Sequence, residues 1–253
     1  MFTDEQLEQL EEKEHEHAIE EYALLLAILA SLSEDLEKEL SAFYQKYGTE
    51  GIVTYYQARR KVSEKDKRKR YIALFLAIDK LFEQTFENFD SNFKSHLKYI
   101  VGEEFDFFEQ EVDIDDILST PWGEDNLTWR ERLWAYKEKW VSVICSDLKR
   151  SFLKRDDLGD VLEDLGDGFS SMEKILWKLL VSESTATNSI ARQKIFKEMG
   201  VTKYRFYTRV DERRCEQCGS LHGLVFPMSA WEVGVTASPI HPHCRCWEVP
   251  IIE

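Results

Sequence analysis

Four of the five cysteines in this 253-residue chain fall into two pairs near its C-terminal end. The first pair is Cys215-Glu-Gln-Cys218, and the second closes the run Pro239-Ile-His-Pro-His-Cys-Arg-Cys246. Two cysteines three positions apart can direct both thiolates to one point, and a second pair with a histidine completes the tetrahedral sulfur and nitrogen shell that suits zinc. The spacing therefore predicts a structural zinc site with no open position for a substrate.

Two alternatives to zinc stay open at this point, namely a pair of disulfides and four free thiols in a small core. The longest apolar run, Tyr22–Ala30, is too short to cross a bilayer and lacks the basic residues that precede a signal-peptide core. We therefore expect a soluble chain, without a membrane partner, that is made in the reducing cytoplasm. Such a compartment favours zinc over disulfides.

Composition indicates a folded, mostly helical chain. Hydrophobic residues make up 43% and aromatic residues 13%, while prolines and glycines are few, at five and eleven. The net charge is −15, and residues 1–40 hold thirteen acidic against two basic side chains. An acidic chain of this kind is not expected to coat nucleic acid along its whole length.

One basic cluster interrupts this acidity, and it is a candidate for a non-specific contact with double-stranded DNA. A solvated loop surface is an equally good interpretation. The cluster has eight cations and two acidic residues within twelve positions. The cations are Arg59, Arg60, Lys61, Lys65, Lys67, Arg68, Lys69 and Arg70.

The hydrophobic pattern predicts long helices through about residue 200 and strands only afterwards. The predicted helices cover 4–44, from Ser63 to about Val101, 129–152, a short piece within 154–168, 172–182 and 182–199. The acidic stretch 102–116 is expected to be a loop or short helix that docks by its phenylalanines. The predicted strands are 204–210, 224–226 and 246–252.

The fold class that follows is mainly α, with a small α+β module at the C-terminal end built on a short antiparallel sheet and a zinc knuckle. We expect three parts along the chain. Residues 1–120 form a helical N-terminal region, residues 121–200 form a helical region that leads into the cysteine motif, and residues 201–253 form the zinc-stabilised module.

The C-terminal motif resembles the phage Mu F-like head morphogenesis family of minor head proteins. The shared pattern is D-x-x-x-C-x-x-C-x-x-x-x-G from Asp211 to Gly223, followed by P-x-H-P-x-C-R-C from Pro239 to Cys246. The resemblance is specific over roughly the last fifty residues and looser from about Trp129. By this resemblance the motif positions are Cys215, Cys218, Gly223, His241, Cys244, Arg245 and Cys246. It also favours His241 over the neighbouring His243 as the nitrogen ligand.

This resemblance implies a structural role at the portal vertex. Its expected partners are the phage portal protein, and in addition the major capsid or scaffold protein and packaged DNA. The expected location is the capsid interior of the virion, after assembly in the host cytoplasm.

The rival class is a zinc-dependent nuclease or another zinc-stabilised nucleic-acid-processing enzyme. Asp211, His222 and His243 could lie near one another, as a histidine-centred nuclease requires. A zinc deaminase is not expected, because no His-x-Glu motif precedes the cysteine pair in the required context. Glu183 and Arg192 lie over two turns apart on one predicted helix, so they do not form a catalytic pair. The sequence therefore favours a non-enzymatic protein.

Overall fold

The structure is a computed structural model that describes residues 3–110, 112–212 and 214–252. The predicted acidic stretch includes Glu111, which lies outside these residues. The chain divides into two compact units. Unit 1 comprises Met1–Ala23, Ser91–Arg132 and Leu176–Glu253, and unit 2 comprises Leu24–Asp90 and Leu133–Ile175.

Helices account for more than three quarters of residues 1–200, and no β-strand is found among the described residues before Lys203. The fold class is therefore as predicted, mainly helical with a sheet near the C-terminal end. The helices are α1 (Asp4–Tyr47), α2 (Tyr55–Ala58), α3 (Arg70–Phe108), α4 (Ile114–Leu118), α5 (Trp129–Lys154), α6 (Leu158–Glu198) and α7 (Glu216–Leu221). None of the helices in the described part of the chain combines the length and the apolar character that a membrane span requires.

The predicted start of the second long helix at Ser63 is wrong. The Ser63 hydroxyl accepts the Asp66 amide proton at 2.9 Å, as a capping residue would, but it closes a tight turn. Amide hydrogen bonds from Val62 to Arg68 and from Arg70 to Arg60, both 2.9 Å, make residues 60–70 a hairpin-like loop. The helix α3 begins only at Arg70, because these hydrogen bonds across the loop hold the preceding residues out of helical geometry.

At its other end α3 continues through half of the acidic stretch to Phe108, so the predicted end of this helix at about Val101 is wrong. Glu104 lies on the buried side of this extension and is fully buried, together with Val101 and Phe108. The stretch then breaks and resumes as α4, whose first turn is capped by Asp113.

The three helices predicted between residues 154 and 199 are one helix, α6. Its glycines Gly166 and Gly168 have no neighbouring atom within 4 Å of a would-be Cβ. Glycine in a helix costs about 1 kcal/mol relative to alanine. Burial of Val161, Phe169 and Met172 at helical spacing offsets that cost, and the helix continues.

The C-terminal sheet has three antiparallel strands in the order β2-β1-β3, where β1 is Lys203–Thr208, β2 is Val225–Pro227 and β3 is Cys246–Ile251. All three predicted strands are confirmed. In the central pairing Thr208 lies opposite Cys246, which sets the second cysteine pair beside the end of β1. Alternate residues of β1 are buried, as a strand covered on one side requires.

Each unit has its own apolar core. In unit 1, Leu7 of α1, Phe196 of α6 and Trp247 of β3 belong to one buried cluster that also contains Tyr204 and Trp231. In unit 2, aromatic rings dominate. Phe86 of α3 packs against Trp140 of α5 at 5.6 Å between ring centroids, and Phe43 of α1 lies 5.7 Å from Phe152.

Candidate metal centre

The first cysteine pair is positioned by the helix α7. Cys215 is the N-cap of this helix, with extended backbone angles of φ −76° and ψ 160°. Its sulfur accepts the Cys218 amide proton at 3.3 Å, which takes the place of the usual capping oxygen. Cys218 therefore stands in the first turn of α7 with its side chain directed to the same side as Cys215.

The second half of the centre is positioned by a turn that leads into β3. The Cys244 amide donates to the His241 carbonyl at 3.1 Å, and His243 between them adopts a left-handed φ of 60°. Cys246 then opens β3 opposite Thr208. The turn and the strand start together bring His241, Cys244 and Cys246 towards α7.

The structure brings all five predicted ligands together. Sulfur atoms of Cys215 and Cys218 lie 3.0 and 3.1 Å from Nε2 of His241, and the sulfurs of Cys218 and Cys244 are 3.7 Å apart. Two groups with ligand atoms within 4.8 Å share Cys218, one completed by Cys215 and His241 and the other by Cys244 and Cys246. All five cysteines, each of them described, are free, so the disulfide alternative has no support here.

These spacings resemble those around a tetrahedral zinc ion. With zinc–sulfur distances of about 2.3 Å, two thiolates on one ion stand about 3.8 Å apart. The Cys218–Cys244 separation of 3.7 Å agrees with that value. The distances to His241 are somewhat shorter than the roughly 3.5 Å expected between a thiolate and an imidazole nitrogen on zinc.

A carbonyl orients the imidazole of His241. Its Nδ1 donates to the Pro242 carbonyl oxygen at 2.8 Å, which leaves the lone pair of Nε2 facing the two sulfurs. Metal-bound histidines are commonly held in this way by a backbone oxygen.

Thiol hydrogen bonds make one cysteine of the buried set strongly acidic. Bonds from Cys218 and Cys246 lower the pKa of Cys244 to about 3, while the same bonds raise the pKa of the other two thiols. The cluster thus holds a thiolate, which is the protonation state that binds metal.

The remaining motif residues are held outside the ligand cluster. Arg245 points away from the sulfurs and forms a bidentate pair with Asp211, both contacts 2.7 Å, as expected from its position between two ligands. His222 accepts the Thr208 amide proton at 3.2 Å, and its ring lies 4.8 Å from that of Tyr207. His243 is exposed and belongs to neither ligand group.

The predicted DNA-contacting cations share one loop in unit 2, but they are not equivalent. Arg68 is paired with Asp66 through its Nη2 at 2.6 Å. Arg70 turns back to donate to the Gln57 carbonyl at 3.2 Å, and its guanidinium lies 4.2 Å from the ring centre of Tyr47. Lys69 is half-buried. The five exposed cations that form no ion pair within the described residues are Arg59, Arg60, Lys61, Lys65 and Lys67.

The sequence reasoning missed a buried charged network in unit 1. Arg192 of α6 is fully buried and donates from Nε and Nη2 to the two oxygens of Glu104, at 2.8 and 2.6 Å. Its Nη2 also lies 2.8 Å from Glu11. Asn188, one turn earlier, donates to Glu104 at 2.8 Å and to Glu14 at 2.6 Å. Three carboxylates within 4.8 Å of one another therefore share one guanidinium.

Burial shifts the protonation of this network. It raises the pKa of Glu11 to about 7 and that of Glu14 well above its usual range, although Arg192 opposes both shifts. A sequence signal was present, because Glu14 interrupts the buried stripe of Leu7, Leu10 and Ala18 at helical spacing.

Glu183, also on α6, belongs to a separate buried network. It accepts from the Trp122 indole at 2.7 Å and from Arg132 at 2.9 Å, and Arg132 pairs in addition with Asp125. Glu183 and Arg192 thus have different partners, in keeping with their separation along the helix.

Comparison with known families gives a match that covers this centre. Residues 166–249 match the model of the family described as Phage Mu protein F like protein. The matched stretch runs from the N-terminal part of α6 into β3 and contains every candidate ligand. No curated protein and no solved structure matches the chain.

Proposed function

From the match of residues 166–249 to the Phage Mu protein F like family, we propose that the chain is a phage head morphogenesis protein. The observation that supports this proposal is the coincidence of the family match with the cysteine and histidine cluster. Its role is structural, as a minor component of the virion that docks on the portal protein during head assembly.

We further propose that the cluster holds one structural zinc ion. Cys215, Cys218 and His241 supply three ligands. Cys244 is the fourth, because its sulfur stands at the tetrahedral spacing from Cys218. Zinc would join α7 to the turn before β3, which are otherwise linked by few backbone bonds. Cys246 stays as a neighbouring thiol beside Thr208.

Metal analysis of the purified chain tests the zinc proposal, with one zinc per chain expected. Cys215→Ala should abolish zinc binding and increase hydrogen exchange in β1, β2 and β3, while the helices of unit 2 stay protected. Cys145→Ala is the matched control, since Cys145 lies on α5 in unit 2 and belongs to neither ligand group, and this variant should keep full zinc content. Zinc-free native protein, or equal zinc in both variants, would contradict the proposal.

Portal docking is tested by co-purification with the portal protein of the same phage. The expected result is a complex that survives gel filtration and that Cys215→Ala weakens, because the family-matched module would lose its order. A failure to form any complex in a reconstituted head assembly would refute docking. Zinc content measured on the same sample shows whether the zinc proposal fails with it.

The second contact we propose is between packaged DNA and the loop of residues 59–70. Its five exposed, unpaired cations could neutralise up to five phosphates without reading bases, so binding should be weak and independent of sequence. A plot of the logarithm of the affinity against the logarithm of the salt concentration should then have a negative slope that is no steeper than about −4.5. Elsewhere the acidic chain repels DNA.

Charge reversal tests this contact at lysines of the loop that form no ion pair within the described residues. Lys65→Glu with Lys67→Glu should reduce DNA retention at low salt and flatten the salt slope. The control is Lys94→Glu with Lys139→Glu, which makes the same change in net charge at exposed helical positions. Equal loss in the two double variants would show that net charge alone, and not this loop, governs retention.

No observation favours the nuclease alternative. Of its three candidate residues, Asp211 is engaged by Arg245, and His222 uses Nδ1 to accept a backbone proton in β1. These contacts support the proposal of a structural role.

A further inference from the structure

Beside the metal centre, unit 1 contains a cavity of about 660 Å³ that the proposed function does not use. His241 and Cys244 contribute to one side, and Glu14 lies in the lining together with the rings of Trp177 and Trp247. The volume lies within the range of about 300 to 1,000 Å³ that is usual for ligand sites.

Three buried polar atoms of the lining form no hydrogen bond within the described residues. One of them, Oε1 of Glu11, still lies 2.8 Å from Nη2 of Arg192, and the other two have no partner in that part of the chain. Glu14 is 6% exposed, and while its Oε2 accepts from Asn188, its Oε1 has no hydrogen-bond partner among the described residues. Trp247 is 2% exposed, and within the same described part of the chain its Nε1 donates to nothing. Buried polar groups are nearly always hydrogen-bonded, so an unpaired acceptor and an unpaired donor around one cavity point to a ligand.

The charge of the lining defines the ligand at the Glu14 end. Glu11, Glu14 and Glu104 share the single cation Arg192. Both oxygens of Glu104 already accept from Arg192 or Asn188. A metal ion would have to displace these donors and lie against a guanidinium. A cationic N–H group needs only the free oxygen of Glu14, to which it donates a hydrogen bond. Burial raises the pKa of Glu14, and the positive charge of the ligand would oppose that shift and favour the ionised carboxylate.

The cations of the lining do not supply that charge themselves, because they are engaged elsewhere. Arg209 donates to Glu12 at 2.6 Å, and Arg245 is paired with Asp211. The free indole N–H of Trp247, which lines the same cavity, requires an acceptor. A free polyamine offers cations but no acceptor, whereas a peptide that carries a basic side chain offers a backbone carbonyl as well.

We propose that this cavity binds a lysine or arginine side chain on a peptide segment of a partner protein. The charged group pairs with Glu14, the aliphatic stem lies along Trp177, and a backbone carbonyl accepts from Trp247. The site needs neither a metal nor the phage head role, so it can be tested apart from both.

The test titrates the full-length protein with acetyl-Ala-Lys-Ala-amide and with the same peptide carrying norleucine, followed by calorimetry or NMR. The lysine peptide should bind at least tenfold more tightly. Glu14→Gln keeps the shape of the side chain and should weaken the affinity for the lysine peptide at least tenfold. Glu16→Gln is the matched control, because it removes the same charge from an exposed position two residues along α1.

A second variant and a second probe test the Trp247 end of the site. Trp247→Phe should weaken the lysine peptide several-fold and leave cadaverine, which has no carbonyl, unchanged. If circular dichroism shows that Glu14→Gln does not fold, Trp247→Phe still tests the proposal.

Three results would overturn the proposal. The first is equal affinity for lysine and norleucine peptides. The second is cadaverine binding as tight as that of the peptide, which would indicate a free amine. The third is Mn²⁺ binding that Glu14→Gln abolishes, which would make the carboxylate cluster a cation site.

Discussion

Replacing Arg192 by methionine should destabilise unit 1 severely, and the structure sets the size of the effect. The guanidinium is fully buried, donates two hydrogen bonds to Glu104 and lies 2.8 Å from Glu11. Methionine keeps much of the apolar stem but leaves three neighbouring carboxylates without a cation. Removal of one partner from a buried ion pair costs about 3–5 kcal/mol. We expect a loss of that size in the free energy of unfolding at pH 8.

The companion variant separates charge from packing. With Glu104→Met added to Arg192→Met, the pair in closest contact is gone, although Glu11 and Glu14 remain without their cation. The double variant should therefore be more stable than Arg192→Met alone, because an apolar replacement of a whole buried pair is often neutral. Urea unfolding followed by tryptophan fluorescence gives the free energies, and hydrogen exchange in β1 assigns the loss to unit 1. A double variant that is as unstable as the sum of the two single variants would refute the reasoning.

The pH dependence of Arg192→Met provides a further check. Even with Arg192 present, burial raises the pKa of Glu11 to about 7. Without the cation, the folded protein holds the carboxyl protons up to a higher pH than the unfolded chain does. The destabilisation is then full above the raised pKa and disappears as pH falls towards the ordinary carboxyl range. The gap between wild type and variant should therefore narrow from pH 8 to pH 5.

Three more outcomes follow from single contacts. Burial raises the pKa of Glu248 to about 8, so the wild type should lose stability between about pH 4.5 and pH 8, and Glu248→Gln should show a smaller loss in urea titrations across that window. Arg245→Ala breaks a partly exposed pair with Asp211, and calorimetric unfolding should show a cost of at most about 1 kcal/mol with zinc content unchanged. Lys137 is buried and contacts three carboxylates in unit 2, so Lys137→Met should lower the free energy of unfolding in urea by about 1.5–3 kcal/mol. Hydrogen exchange in β1, which belongs to unit 1, should not change.

The strands and the ligand cluster could be predicted because their signals are local. Alternation over 204–210 marks β1, and the spacing from Cys215 to Cys218 by itself places two sulfurs on one side of a helical turn. The resemblance to the head morphogenesis family rested on the same residues, and the match over 166–249 confirms it for that stretch. The division of the chain at residues 120 and 200 stays a prediction.

The wrong helix boundaries have a common physical cause. Local conformational preference and tertiary contacts compete, and the tertiary contacts decide where a helix begins or ends. Gly166 and Gly168 favour a break, but the buried residues of α6 hold the helix together. Ser63 with Asp66 favours a helix start, but hydrogen bonds across the loop turn the same residues into a hairpin. The network of Arg192 and Glu104 could not be paired from sequence, because its members lie 88 positions apart.

Unit 1 also has a consequence for how the chain folds as it is made. Its core contains both Leu7 and Val249, so the surroundings of the first turns of α1 are complete only after the last strand has been synthesised. At about 5–20 residues per second, that wait lasts roughly 10 to 50 s. During this time the core around the apolar stripe of α1 is incomplete, whereas the last residue of unit 2, at position 175, is made well before Val249. An apolar helical surface that waits this long for its last neighbours is open to other contacts before the fold is complete.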